Sequence, residues 1–121
     1  MPSTESRILR LRGDHDVSTA GALSKLLART IALDDANLVV DLDRVTFMDV
    51  ATVGVILRAE RLLAAQSRSL VLRSPPRLAR RVLELCGLGR LIQASDDAAS
   101  LRTWVAVPAM VPSLVPDREG P

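Results

Sequence analysis

Short runs of branched apolar residues alternate along this chain with segments whose apolar residues recur at helical spacing. The run at residues 38–42 is apolar, β-branched and short enough for a buried strand, and residues 70–72 give the same signal. Between these two runs, Ile56, Ala59 and Leu63 follow the period of an amphipathic helix. This alternation predicts an α/β fold, in which about four helices pack on a largely parallel or mixed sheet of about four strands.

The first half of the chain predicts a strand, a turn and a helix before the run at residues 38–42. The strand is expected at residues 8–12 and the turn at residues 13–16. Either Asp16 or Ser18 is placed to accept hydrogen bonds from the first free amides of helix one. Since only a short polar segment precedes Arg7, no further strand is expected before it, and the first strand should form an open edge. The run at residues 38–42 should be central.

Helix three is predicted after residues 74–76, where Ser74 supplies a cap and the prolines preset the first turn. It is expected to end near Cys86, with its inner face formed by Leu78, Val82 and Leu85. Gly87 is placed to close the helix in the left-handed conformation. The default for Cys86 is a buried, small apolar residue.

The C-terminal part predicts a short extended piece at Leu91 and Ile92 and a last helix, capped by Ser95 or Asp96, that contains Trp104. Spaced prolines after Val107 forbid both a regular helix and a central strand. The expected organisation is therefore one domain at residues 7–104 and a proline-rich, disordered tail at residues 105–121.

Charge and hydropathy exclude several classes of function. The 16 basic residues are offset by 14 acidic ones, so direct DNA binding is not expected. No apolar run approaches the roughly 18 to 20 residues that span a bilayer, and no signal peptide is expected at the N-terminus. Cys86 is the only cysteine, which agrees with a reducing compartment. These features predict a cytoplasmic protein without membrane insertion.

The sequence offers no combination of residues for catalysis. One histidine, His15, stands among scattered carboxylates, which is a poor signature for a metal site. No nucleophile, base and orienting carboxylate combine, and no glycine-rich phosphate loop is present. We therefore expect a binding protein with no catalytic residue, no metal and no cofactor.

Four segments, in this order, resemble the STAS domains of anti-sigma factor antagonists over roughly residues 7–104. Residues 11–16 are similar to the family's Gly-Glu-Leu-Asp turn. The other segments are residues 39–42 leading to Phe47, Met48 and Asp49, residues 54–57 at the start of helix two, and residues 85–92. The resemblance implies a domain that docks on an ATP-dependent anti-sigma kinase, displaces its sigma factor, and is switched off when the kinase phosphorylates it.

The segment that carries the family's phosphorylation site departs from the family pattern. Members typically read Asp-Ser-Ser-Gly-x-Gly, with the second serine as acceptor, whereas the corresponding residues 49–54 of this chain read Asp-Val-Ala-Thr-Val-Gly. Ala51 stands at the acceptor position, and its methyl group cannot receive phosphate. Thr52 stands where the family has glycine. It is either a displaced acceptor or a threonine that fills the first helical turn.

The resemblance also implies a set of partner-binding residues around this segment: Asp16, Phe47, Met48, Asp49, Ala51, Thr52 and Gly54. Asp16 and Asp49 are equally well placed as helix caps. Gly54 lies inside a helical pattern, which predicts a close approach of helix two to the sheet. His15 is interpreted as a hydrogen-bonded boundary residue, with a pH sensor as the alternative.

The function predicted from the resemblance is an anti-sigma factor antagonist-like regulator that binds a kinase-type anti-sigma factor. The alternative is a non-phosphorylated STAS scaffold subunit of a larger complex, such as a stressosome or a lipid-transport ATPase. Both are roles in bacterial signalling or assembly, and either leaves a dimer possible. A basic cluster on helix three is either a solvated face or a contact for an acidic partner. It consists of Arg77, Arg80 and Arg81.

Overall fold

Strands and helices alternate along a computed structural model, which describes residues 5–93 and the backbone of residues 105–106. The strands are β1 (Ser6–His15), β2 (Asn37–Met48), β3 (Leu70–Arg73) and β4 (Val105–Ala106). The helices are α1 (Val17–Leu33), α2 (Val50–Ala64) and α3 (Arg77–Leu85), and a 3-10 helix follows at Gly89–Leu91. The predicted α/β class is confirmed.

The four strands form one sheet in the order β3-β2-β1-β4, and all three pairings are parallel. The central position predicted for β2 is confirmed. The position predicted for β1 was wrong, because β4 pairs along it and makes it an inner strand. The strand also begins earlier than expected. Ser6 pairs with Asn37, whose amide donates to the Glu5 carbonyl at 2.9 Å.

All three helices contribute to one core on the same face of the sheet. Alternate residues of the strands, such as Leu9 and Val40, point into this core. They meet Leu27 of α1 and Ile56 of α2 there, together with Leu83 of α3. The opposite face carries a smaller cluster, formed by Ile8 and Val39 with Val71 packed against them. Successive residues of β2 are therefore buried on opposite faces of the sheet, which is why its apolar residues are consecutive rather than alternating.

Residues 13–15 of the expected turn are instead the last part of β1, and Asp16 follows as the cap of α1. Gly13 has a φ of +80°, and the pairing with β2 shifts its register between Gly13 and Asp14. Glycine permits this left-handed conformation without steric cost, so it produces an irregularity within the strand rather than a reversal of the chain. β1 therefore runs beside β2 to its end, and His15 pairs with Met48.

The inner face predicted for α3 holds for Val82, which is half-buried and packs against the core, but was wrong for the two leucines. Leu78 and Leu85 are exposed, while Ala79 and Leu83 are buried. The helix is rotated so that the small Ala79 faces the core. Cys86, expected to be buried, is exposed at the end of the same helix.

The two ends of α3 differ in how well the sequence predicted them. The C-terminal prediction is confirmed, because Gly87 has a φ of +82°. At the N-terminus, Ser74 does not cap the helix. Pro76 occupies the N-cap position, and no side chain accepts a hydrogen bond there.

Directly after α3, the chain returns to the sheet beside β3. The extended piece predicted at Leu91 and Ile92 was wrong for Leu91, which ends the 3-10 helix. Ile92 forms a single bridge with Leu72, and the Gln93 amide donates to the Leu72 carbonyl at 2.7 Å. The predicted fourth helix and the segment from residue 107 lie outside the described residues. The domain boundary at residue 104 stays a prediction.

Candidate functional site

Two neighbouring strands end at the same edge of the sheet, and each leads directly into a helix through an aspartate. β1 ends at His15 and Asp16 caps α1, while β2 ends at Met48 and Asp49 caps α2. The backbone amide of Asp49 donates to the His15 carbonyl at 3.1 Å. Because the strands are parallel and paired to their ends, the first turns of α1 and α2 lie side by side.

The carboxylate of Asp16 is held by the first turn of α1. Its Oδ1 accepts from the Ser18 amide at 2.9 Å and from the Ser18 hydroxyl at 2.6 Å. The Asp16 amide donates in return to the Thr19 hydroxyl at 3.0 Å, which completes a reciprocal capping box. The hydrogen bonds from Ser18 lower the pKa of Asp16 below its ordinary value. The capping role predicted for Asp16 is confirmed.

Asp49 plays the same role at the start of α2. Its Oδ1 accepts from the Thr52 amide at 3.1 Å and lies 3.3 Å from the Thr52 hydroxyl. Thr52 itself is fully buried, with 0% of its surface exposed. Its side chain therefore fills the first helical turn, and its hydroxyl faces the capping carboxylate rather than solvent.

Apolar side chains remain exposed around these two caps. Val17, the first residue of α1, is 76% exposed, and Val50, the first residue of α2, is 68% exposed. Phe47, at the end of β2, is 50% exposed, and Ala51 is half-buried. We call this surface the capped edge. It consists of Asp14, Asp16, Val17, Phe47, Asp49, Val50 and Ala51.

A side-chain hydrogen bond joins the ends of β1 and β2 next to Phe47. Asp14 pairs with Phe47 in the register of β1 and β2. The Thr46 hydroxyl donates to Asp14 Oδ1 at 2.6 Å, so the two strand ends are joined through side chains as well as through their backbones.

Two of the predicted partner-binding residues lie in places that the sequence did not indicate. Met48 is buried in the core and cannot present its side chain to a partner, because alternation along β2 directs it away from Phe47. The close approach predicted at Gly54 was wrong, since a Cβ built there meets no atom within 4 Å.

Sequence reasoning missed Val17, Val50 and Asp14 as part of this surface. A usable signal was present for the two valines. Each directly follows a capping aspartate, and an apolar residue at the first position of a helix lies outside the stripe that faces the core. No comparable signal identified Asp14, because its place depends on the extension of β1 beyond Gly13.

His15 is buried directly beneath the capped edge. Its Nε2 donates to the Arg12 carbonyl at 3.1 Å, and its Nδ1 has no partner among the described residues. Burial lowers the pKa of His15 from its ordinary value of 6.5, against opposing contributions from the Arg12 carbonyl, Asp14 and Asp16. The prediction of a hydrogen-bonded residue is confirmed, although the residue is buried rather than at the boundary.

The described residues contain no group of three or more histidine, cysteine, aspartate or glutamate side chains that could hold a metal ion. Within the same part of the chain, no helix has the length and apolar character needed to cross a membrane.

The family model described as "Mlab, STAS domain" matches residues 3–93. The chain belongs to the STAS domain family. Two solved structures of the anti-sigma factor antagonist SpoIIAA are similar to this STAS domain at 26% identity. The unphosphorylated form has a TM-score of 0.69, covering 82% of this chain and 88% of SpoIIAA. The phosphorylated form, from Bacillus, has a TM-score of 0.62, covering 82% and 91%.

A transporter domain shares the fold. The STAS domain of a SulP transporter from Vibrio cholerae is similar to this STAS domain with a TM-score of 0.59 and 12% identity, covering 84% of this chain and 81% of the other. At that identity the likeness concerns the fold alone. No curated protein matches the sequence.

Proposed function

We propose that this STAS domain is an anti-sigma factor antagonist-like regulator that binds a kinase-type anti-sigma factor through the capped edge. The observation that carries the proposal is the exposure of Val17, Phe47 and Val50 where two helix N-termini meet. Exposed apolar patches are typical of protein contact surfaces. The similarity to SpoIIAA supports the choice of partner. Such a partner places the domain in the cytoplasm as a binding component without catalysis of its own.

In this proposal the kinase binds the capped edge without phosphorylating it. Ala51 occupies the position matched to the family's acceptor, and a methyl group cannot receive phosphate. The neighbouring Thr52 is buried and close to the Asp49 carboxylate, whereas a kinase needs an exposed hydroxyl. These observations support a threonine that fills the first helical turn rather than a displaced phosphate acceptor.

A charge at position 51 should prevent binding for an electrostatic reason. The capped edge already carries the carboxylates of Asp14, Asp16 and Asp49. A phosphate would add about −1.5 to −2 charges at neutral pH, enough to repel a partner matched to the unmodified surface. Glutamate at this position adds part of that charge.

The binding test uses the full chain and kinase-type anti-sigma factors from the same organism, with dissociation constants measured by calorimetry. Ala51→Glu should weaken binding at least about tenfold, or about 1.4 kcal/mol. Ala51→Gln is the matched neutral control and should weaken it much less. Leu33→Ala, at the exposed far end of α1, should leave affinity unchanged. Full affinity of Ala51→Glu would place the interface elsewhere.

The phosphorylation test incubates the same proteins with the kinase and ATP and measures incorporated phosphate. Wild type should remain unmodified, and Ala51→Ser should be phosphorylated if the rest of the recognition site is intact. Phosphate on wild type that disappears in Thr52→Ala would show a displaced acceptor and contradict this reading of Thr52.

A second candidate function is a non-phosphorylated scaffold subunit of a larger complex, such as a stressosome or a lipid-transport ATPase. Ala51 favours it specifically, because such a subunit has no need of an acceptor hydroxyl. Purification of the protein at its natural abundance separates the candidates. A regulator should be recovered with a kinase-type anti-sigma factor, and a scaffold subunit with a complex of fixed stoichiometry whose assembly is unaffected by Ala51→Ser.

A further inference from the structure

The outward face of α3 presents two leucines to solvent. Leu78 is 71% exposed and Leu85 is 81% exposed, although both are large apolar side chains. They are seven residues apart, which places them on one stripe of the helix about 10 Å apart along its axis. Ala79 and Leu83 anchor the opposite face in the core, so the orientation of this stripe is fixed by packing.

A second stripe of the same face carries net positive charge, since three exposed arginines stand there with the single carboxylate of Glu84. Arg77 and Arg81 are exposed, four residues apart, and neither has an ion pair within the described part of the chain. Arg80 differs, because it lies 3.8 Å from Glu84. At about 100° per residue, Arg81 lies between Arg77 and the leucine stripe. Basic and apolar stripes therefore run side by side.

This arrangement complements an amphipathic segment with carboxylates along one side of its apolar stripe. Leucines at a spacing of two helical turns match the anchors by which helices dock on one another. Two free arginines select acidic neighbours and disfavour basic ones. They are fewer than the clusters of about four to eight basic residues that recruit proteins to anionic membranes. A protein segment therefore fits this face better than a lipid surface.

We propose that the outward face of α3 docks an acidic, amphipathic helical segment of a partner protein. The capped edge has the opposite charge, since Asp14, Asp16 and Asp49 lie there. A segment that pairs with Arg77 and Arg81 is repelled by those carboxylates, so the two surfaces take different partners or different parts of one partner. The docking on α3 does not depend on the function proposed for the capped edge.

The test uses the full chain and a fluorescein-labelled helical peptide of 14 residues, with leucines on one stripe and glutamates beside them. Fluorescence anisotropy should show saturable binding to wild type that weakens as salt is raised. Arg77→Glu with Arg81→Glu, and separately Leu78→Ser with Leu85→Ser, should each weaken binding at least tenfold. A peptide with lysines in place of the glutamates should prefer the arginine double variant.

The controls separate this face from other exposed groups. Arg29→Glu with Leu33→Ser changes an exposed basic and apolar pair on α1 and should leave peptide binding unchanged. Ala51→Glu should also leave it unchanged. Circular dichroism should report the same melting temperature for each α3 variant as for wild type, because the altered side chains are exposed.

Four results would overturn the proposal. The first is that wild type does not bind the acidic peptide saturably. The second is that wild type and both α3 double variants bind it equally well. The third is wild type that sediments with phosphatidylglycerol vesicles while the arginine double variant does not, since the face then binds lipid. The fourth is self-association of wild type that is lost in the leucine double variant, because the occupant is then a second copy of this chain.

Discussion

The side chains of the capped edge divide between fixing the backbone and remaining available for contact. The carboxylates of Asp16 and Asp49 accept hydrogen bonds from the first turns of their own helices. The apolar side chains of Val17 and Val50, one residue further on, have no such partner in the fold and stay exposed. Binding at this edge therefore draws on apolar contact, while the caps keep the contacting groups in place.

His15 predicts a loss of stability on mild acidification. Its pKa is lowered in the folded protein by burial, so the unfolded chain takes up a proton first as the pH falls below 6.5. The free energy of unfolding should therefore decrease from about pH 7 towards pH 5, and further until the folded state also binds the proton. His15→Gln keeps a donor towards the Arg12 carbonyl without titrating and should flatten the curve in this window. Equal slopes for both proteins in urea unfolding would contradict the prediction.

Gly54 predicts a stabilising substitution. Nothing lies within 4 Å of a Cβ at this position, and glycine inside a helix is about 0.5–1 kcal/mol less favourable than alanine. Gly54→Ala should raise the free energy of unfolding by about that amount in urea titration. Gly87→Ala is the contrasting control, since the φ of +82° there strains any other residue and should lower stability by about 1 kcal/mol. A destabilised Gly54→Ala protein would show that the helix needs glycine for another reason.

At the level of elements, α3 shows why the inner face of a short helix is hard to predict. Its sequence contains two possible stripes, one through Leu78 and Leu85 and one through Ala79 and Leu83. Residue size favours the first. The structure uses the second, because the small Ala79 allows the helix to lie close to the core. In nine residues, no longer periodic pattern is available to decide between them.

This rotation of α3 predicts unequal effects for two similar substitutions. Leu83→Ala removes a fully buried side chain and should lower the free energy of unfolding by about 2–5 kcal/mol. Leu85→Ala removes an exposed one and should change it by less than about 0.5 kcal/mol. Thermal or urea unfolding of the two variants checks the orientation directly. A larger loss of stability for Leu85→Ala than for Leu83→Ala would show that α3 packs through the leucine stripe expected from the sequence.

The longer elements were predictable because their signals agree with one another. α1 combines an aspartate cap with apolar residues at helical spacing, and β2 has an apolar run that suits burial on both faces. The extensions of β1 and β2 towards the capped edge were not predictable. They depend on pairing between strands distant in sequence and on the irregularity at Gly13, and neither produces a local pattern.

For the whole molecule, the strand order predicts the distribution of local stability. β2 is paired on both sides, and β1 pairs with it along most of its length. Their central amides should therefore exchange with solvent only on global unfolding, while amides of α3 and the following 3-10 helix should exchange faster. Native-state hydrogen exchange measured by NMR checks this. Protection of α3 equal to that of β2 would contradict it.

The candidate site was partly predictable at this scale. The segment at residues 47–51 and Asp16 were identified from motif resemblance, and the structure brings them to one edge because β1 and β2 are parallel neighbours. The inward orientation of Met48 and the burial of Thr52 required the fold. A residue within a motif can face either side of the chain, and only packing decides which.

The connections from helices back to strands lie at the other end of the parallel sheet. Ser67 is there, exposed and with a φ of 58°, in the tight link between α2 and β3. An insertion or an attachment chemistry placed at this link is separated from the capped edge by the full length of the strands. The domain immobilised through Ser67 would present its capped edge outward, which makes this link a practical handle for sensors and affinity columns.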